Sequence, residues 1–103
     1  MVANGKPTGF VVIPQFRVDQ HARQDFLAAA ADDAQHSVTD EAGCRQFDVV
    51  CPQDAADTVI FYEVYDDRAA FDAHLQTPHL QRFQAAMQRL GVEETRVVFA
   101  SRV

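Results

Sequence analysis

The chain lacks tryptophan altogether, and its 103 residues include only nine basic side chains against fifteen acidic ones. The net charge of −6 argues against a nucleic-acid partner, because a phosphate backbone is bound through a basic footprint. It argues equally against attraction to an anionic membrane surface. No apolar run is long enough to span a bilayer, and the first residues lack the apolar core of a signal peptide. We therefore expect a cytoplasmic protein.

Glycine and cysteine are too few for the common cofactor and disulfide motifs. The four glycines lie far apart and form no G-x-G-x-x-G phosphate loop. Cys44 and Cys51 fall on one predicted strand, roughly 20 Å apart, so they cannot form a disulfide and are expected to be buried thiols. His74 and His79 are separated by a helix break, unlike the His-x-x-x-His spacing of metal sites. The sequence thus predicts neither a metal nor any other cofactor.

What the chain does have is an ordinary globular composition. Hydrophobic residues make up 48% of it and charged residues 23%, which is typical of a folded domain. A length of 103 residues fits one domain. Residues 1–8 are small and polar and are predicted to form a flexible arm, so the single domain comprises residues 9–103.

Hydrophobic periodicity and end signals predict four strands and two helical units. The strands cover residues 10–18, 44–51, 58–65 and 95–103, and the helical units cover 19–37 and 66–91. Thr77-Pro78 interrupts the second unit, and Pro14 places the first strand at a sheet edge or at a local break. This βαββαβ order indicates an α+β protein of the ferredoxin-like type, with a four-stranded antiparallel sheet and helices on one face.

Both faces of the predicted sheet carry apolar side chains. Along the third strand, one face includes Ile60, Tyr62 and Val64, and the other includes Val59 and Phe61. Helices can cover only one face, whereas a face in contact with water would alternate with polar residues. The simplest cover for the second face is the same face of another copy. The sequence therefore predicts a homodimer.

Two stretches carry a family resemblance: EAGCRQFDV at residues 41–49 and FYEVYDDRAAFDAHLQTPH at residues 61–79. With them, the chain from Phe10 to Val103 resembles the antibiotic biosynthesis monooxygenase family, within the dimeric α+β barrel group. The stretches look closest to the small quinol-oxidising proteins and to the branch that isomerises the phosphorylated autoinducer-2 signal. The resemblance implies a homodimer whose two sheets pack together, with a pocket in each protomer between sheet and helices.

The resemblance also implies a set of activities. Members oxidise quinols and polyketide aromatics without a cofactor, and others degrade haem. The haem-degrading members use an asparagine on the first strand together with a tryptophan. The only asparagine in this chain is Asn4, and tryptophan is absent, so haem degradation by that route is not expected.

Three ionisable residues are the candidates for catalysis. Helical spacing places His74 on the inward face of its helix, and Glu63 lies in an apolar strand. We predict that the two form one acid–base pair, because each would be desolvated and would need a partner. His79 follows Pro78 in the first turn of a helix, where the helix dipole favours a neutral imidazole suited to act as a base.

Aromatic residues are the candidates for binding a small organic substrate. In this pattern they are also typical of a hydrophobic core, so the two roles overlap. Tyr65 stands where the family often has tryptophan. The full set is Tyr65, Phe47, Phe61, Phe71 and Phe83.

Three functions remain open on the sequence. The first is cofactor-independent monooxygenation of a quinol or another electron-rich aromatic, in which the substrate itself reduces oxygen. The second is isomerisation of a small phosphorylated carbonyl compound, for which Arg17, Arg45 and Arg68 are candidates for a phosphate seat. The third is a non-catalytic small-molecule-binding or stress-response domain that uses the same pocket.

Overall fold

The computed structural model describes residues 9–103, so the arm predicted for residues 1–8 lies outside the described residues. Strands β1 to β4 span Phe10–Arg17, Cys44–Val50, Thr58–Tyr65 and Glu93–Ser101. Helices α1 to α3 span Arg23–Asp40, Arg68–His74 and Pro78–Leu90. A single 3-10 turn, Gln20–Ala22, leads from β1 into α1.

The four strands form one antiparallel sheet in the order β2-β3-β1-β4. The helices pack on one face of it. There Phe16 and Phe61 of the sheet meet Phe26 of α1 and Phe83 of α3, with ring centroids 4.7 to 6.2 Å apart. The predicted ferredoxin-like α+β arrangement is confirmed, and α2 and α3 are the two parts of the interrupted second helical unit.

Pro14 lies in β1, which is a central strand, so its prediction as an edge-strand residue is wrong. The predicted local break is present instead. Pairing with β3 is interrupted between Val12 and Gln15, and the register with β4 shifts between Gln15 and Phe16. Proline has no N–H to donate, so a central strand accommodates it only where the hydrogen-bond ladder is irregular.

Most helix ends fall where the capping residues predict. The side chains of Asp67 and Thr77 cap α2 and α3, and Gly91 ends α3 in the left-handed region at φ 67°. Helix α1 continues to Asp40 instead of ending at residue 37, and its last turn includes a contact of 2.8 Å between the Asp40 carboxylate and the His36 ring. Among residues 9–103, no helix is both long and apolar enough to cross a membrane.

Two strand ends differ from the prediction. Strand β2 ends at Val50, so Cys51 lies beyond it and is exposed, whereas Cys44 is buried. The prediction of two buried thiols is therefore wrong for Cys51, because the turn toward β3 begins there. Strand β4 runs from Glu93 to Ser101, starting and ending two residues earlier than predicted, because its first two residues still pair with the end of β1 beyond the register shift.

The sheet face opposite the helices is apolar, as the sequence pattern predicted. It carries Val11 and Val64, which are buried, and Ile13, Ile60 and Tyr62, which are half-buried. None of the three helices packs on this face. The homodimer that would cover it stays a prediction.

Candidate active site

A cavity of about 640 Å³ opens between the sheet and the three helices. This size is typical of small-molecule sites. Its aromatic wall is formed by Phe16, Phe61, Phe71, Phe83 and Phe99. The ionisable side chains that line it are Asp33, Glu63, Arg68, His74 and Glu94.

Glu63 and Tyr65 form a buried hydrogen-bonded pair on β3. They are two residues apart and so share the face that meets the helices. The Tyr65 hydroxyl donates to Glu63 Oε1 at 2.6 Å, and both residues are almost completely buried. Burial raises the pKa of Glu63 to about 8, although the bond from Tyr65 acts in the opposite direction. Burial, with Glu63 beside it, also raises the pKa of Tyr65, so the phenol stays protonated and remains the donor.

The loop between α1 and β2 brings another carboxylate, Glu41, to the ends of α2 and α3. Only glycine fits at Gly43 in this loop, because a Cβ there would lie 2.5 Å from the Cβ of Ala70 in α2. The close approach sets the Glu41 carboxylate between two imidazoles. Its Oε2 lies 2.8 Å from His74 Nδ1 and 2.5 Å from His79 Nε2.

The predicted pairing of His74 with Glu63 is wrong, because each residue has a different partner. His74 bonds Glu41, and Glu63 accepts from Tyr65. Both nevertheless line the same cavity. Burial lowers the pKa of His74, and the neighbouring Glu41 carboxylate opposes that shift. The partner of His74 was missed because it comes from a loop that lies distant along the chain.

His79 occupies the first turn of α3, as predicted, but it does not line the large cavity. It faces a neighbouring groove of about 360 Å³, together with His36, Glu41 and Arg82. The His79 ring is buried and stacks at 5.9 Å on the ring of His36. Glu41 thus connects the cavity wall at His74 to this second groove.

Sequence reasoning missed Asp33 and Glu41. Asp33 is buried in α1, and the Ser37 hydroxyl donates to it at 3.2 Å. Burial raises the pKa of Asp33 to about 7. A signal was available, because Asp33 and Ser37 continue the helical stripe of Phe26 and Ala30, where polar residues are unexpected. Glu41 stands at the start of a stretch that carries the family resemblance.

The predicted absence of a metal site rested on spacing along the chain. The fold brings together ligand atoms of Asp33, His74 and His79, all within 4.8 Å of one another. These residues come from three different helices, so no local motif in the sequence could reveal the group.

The predicted aromatic residues divide between the cavity wall and the core. Phe61, Phe71 and Phe83 line the cavity. Phe47 is packed behind it, with its ring 5.3 Å from Phe61. Tyr65 is not a wall residue, and its hydroxyl reaches the site through Glu63. Two further wall residues, Phe16 and Phe99, were not predicted.

Two of the three arginines considered for a phosphate seat lie away from the cavity. Arg17 pairs with Glu93 and Arg45 pairs with Asp66, both on the surface. Only Arg68 reaches the cavity, where its guanidinium lies at the exposed rim, 5.5 to 5.9 Å from three phenylalanine rings. With three acidic side chains lining the same cavity, the site is poorly suited to an anionic phosphate.

Comparison with known proteins agrees with this architecture. Residues 9–86 match the family model of antibiotic biosynthesis monooxygenases. No curated protein has a sequence similar enough to count as a match.

Solved structures with the same fold come from several bacteria. A conserved Bacteroides thetaiotaomicron protein superposes with a TM-score of 0.83 at 20% identity, over 93% of this chain and 99% of that one. A Nitrosomonas europaea protein, provisionally named as an antibiotic biosynthesis monooxygenase, gives 0.80 at 23% identity over 88% and 95%. A Mycobacterium tuberculosis protein gives 0.75 at 26% identity over 93% and 94%. Because the family model spans most of the sequence, the chain belongs to the antibiotic biosynthesis monooxygenase family.

Proposed function

We propose that the protein is a monooxygenase that oxidises a hydroquinone or a comparably electron-rich aromatic molecule in the aromatic cavity, without a cofactor. The observation that carries this proposal is the Glu63 carboxyl, buried in that cavity and held by the Tyr65 hydroxyl. A buried carboxyl with a pKa of about 8 is matched to phenolic hydroxyls, which titrate near 10 in water.

The reaction begins with transfer of a phenolic proton from the substrate to Glu63. The resulting phenolate is electron-rich enough to reduce molecular oxygen directly, and oxygen then adds to the ring. One oxygen atom is retained in the hydroxyquinone product, and the other leaves as water with two hydrogens from the substrate. The aromatic wall excludes bulk water from this sequence and holds the ring in place.

The two histidines complete the site in this proposal. His74 lines the cavity with its Nδ1 bound to Glu41, so any contact of this ring with the substrate uses Nε2. His79 acts through the same carboxylate and is a positioning residue. Tyr65 keeps the Glu63 carboxyl oriented, while Phe61, Phe71 and Phe83 contact the substrate ring.

The direct test is oxygen uptake by the purified protein with a panel of hydroquinones. We expect one oxygen molecule consumed per hydroquinone and, with isotopically labelled oxygen gas, one label in the product and one in water. Glu63→Gln should abolish most of the uptake, while Glu94→Gln, which alters another carboxyl of the same cavity, should change it little. Substrate binding without oxygen uptake would instead indicate a binding domain.

We further propose that two copies pair through the apolar sheet face that the helices leave uncovered. Obligate interfaces of this kind bury roughly 2,000 Å² or more. Sedimentation equilibrium should give a dimer mass, and Ile60→Glu, which places a charge in that face, should give a monomer. Val38→Glu makes the same kind of change at an exposed position of α1 and should leave the dimer intact. The cytoplasmic location predicted from the sequence stays a prediction.

A further inference from the structure

We propose that the junction of α1, α2 and α3 is a binding site for a divalent metal ion of the zinc type, with Asp33, Glu41, His74 and His79 as ligands. The site adjoins the cavity, whose lining includes Asp33 and His74, and no step of the proposed oxidation passes through it. The proposal therefore stands or falls independently of the proposed function.

The first observation is that three donor groups from separate helices converge, and that a fourth, Glu41, contacts two of them. Ligand atoms of Asp33, His74 and His79 lie within 4.8 Å of one another. Glu41 Oε2 lies between the two rings, 2.8 Å from His74 Nδ1 and 2.5 Å from His79 Nε2. Ligand atoms around a tetrahedral zinc ion are separated by roughly 3.3 Å, so small side-chain rotations would close the group around an ion.

The second observation is a buried polar atom with no partner. The side chain of Glu41 is nine-tenths buried, and among residues 9–103 its fully buried Oε1 has no hydrogen-bond partner. A buried carboxylate oxygen without a donor is costly, and proteins rarely leave one in that state. The two histidines contact Oε2 only, so they provide no hydrogen-bond donor for Oε1.

The third observation concerns charge. Asp33 and Glu41 are two carboxyls buried in one small region, and within residues 9–103 neither forms an ion pair with a lysine or arginine. The nearby Arg82 is bonded to Asp32 on the surface. A divalent cation would neutralise both carboxylates and occupy the free lone pairs of Glu41.

The donor set identifies the class of ion. Two imidazole nitrogens and two carboxylate oxygens suit zinc and similar borderline transition ions, whereas magnesium and calcium prefer oxygen alone. The ion would reach the site through the groove that His79 and Glu41 line. Binding of the ion at His74 Nδ1 would replace the hydrogen bond between this nitrogen and Glu41. The other ring nitrogen, Nε2, would still be available for a contact with the substrate.

The test uses cobalt(II) as a spectroscopic stand-in for zinc, added to chelator-treated protein. We expect one tightly bound ion per chain, the visible absorption bands of four-coordinate cobalt, and displacement by zinc. Glu41→Gln and Asp33→Asn keep the shape of each side chain and should each weaken binding by at least 10-fold, since even outer-shell changes at metal sites typically cost about 10 to 100-fold. Circular dichroism verifies that both variants fold.

The matched control is the exposed group on α1, where His36 lies 2.8 Å from Asp40 and 3.4 Å from Asp32. This group could also attract an ion, but it is accessible to water. Asp32→Asn removes a possible ligand of this exposed group and should leave cobalt binding and the absorption bands unchanged. Absence of the bands in wild-type protein, binding that survives Glu41→Gln, or binding lost with Asp32→Asn would each overturn the proposal.

Discussion

Glu63 and Glu41 are glutamates with largely buried side chains near one cavity, yet their surroundings differ in kind. Glu63 lies among aromatic rings, and within residues 9–103 its hydrogen-bond partner is the Tyr65 hydroxyl. Glu41 lies at the ends of two helices and is held by two imidazoles on a single oxygen. A carboxyl among apolar groups is shifted toward its protonated form and is suited to exchange a proton, whereas one among nitrogen donors is suited to hold neighbouring groups in place. The groups that contact a buried carboxyl therefore decide its role more than burial itself does.

The largest effect is expected when Glu63 is neutralised. Glu63→Gln should lower turnover with hydroquinones by about 10²- to 10⁴-fold, the range typical of a general base. Glu41→Gln should reduce turnover much less, because Glu41 acts only through the histidines. Oxygen-uptake rates of the two variants, normalised to folded protein, decide the matter. Equal losses would show that the two carboxyls do not have separate roles.

The pH dependence of stability provides a second test. Glu63 titrates near 4.5 in an ordinary environment and at about 8 in the folded protein. The native state therefore binds the proton more tightly, so the stabilisation is complete below pH 4.5 and is lost as the pH rises through 8. At about 1.4 kcal/mol per pKa unit, the contribution amounts to a few kcal/mol.

This prediction is checked by urea unfolding of wild-type protein and Glu63→Gln across that pH range. The wild-type free energy of unfolding should fall with rising pH more steeply than that of the variant, which has no proton to lose at this position. Parallel curves would contradict the raised pKa.

A smaller effect is expected at the helix junction. In chelator-treated protein, Glu41→Gln should lower the free energy of unfolding by about 1 to 3 kcal/mol, because it removes a charged acceptor from two buried imidazoles. Asp40→Asn, one residue earlier and exposed, serves as the control and should have an effect near zero. Chemical denaturation measures the free energy of unfolding of both variants. An unchanged value for Glu41→Gln would show that this carboxylate does not hold the junction together.

The smallest effect is expected at Tyr65. Tyr65→Phe removes a hydrogen bond that favours the ionised form of Glu63 and is worth about 1 kcal/mol. The pKa of Glu63 should therefore rise further, and the pH–rate profile should shift to higher pH with little change in its maximum. An unmoved profile would show that the tyrosine hydroxyl does not act on Glu63.

The fold class of this protein follows from its sequence alone. Alternating β-branched and aromatic residues mark Thr58–Tyr65 as a strand, and Thr77-Pro78 and Gly91 mark helix ends, because these signals depend on neighbouring residues and on local backbone geometry. Part of the aromatic wall could also be predicted, because strand and helix periodicity places Phe61, Phe71 and Phe83 on inward faces. The resemblance carried by two stretches pointed to the family that the chain belongs to.

The partners of the ionisable groups were decided only by the tertiary structure. Periodicity shows that His74 and Glu63 both point inward, but it does not show which atoms meet. The partner of His74 is Glu41, 33 residues earlier in the chain, and it arrives because Gly43 allows the loop to approach α2. The same packing of α1, α2 and α3 gathers Asp33 with the two histidines. Contacts between distant segments depend on how whole elements pack, and a pattern read within one element carries no information about that packing.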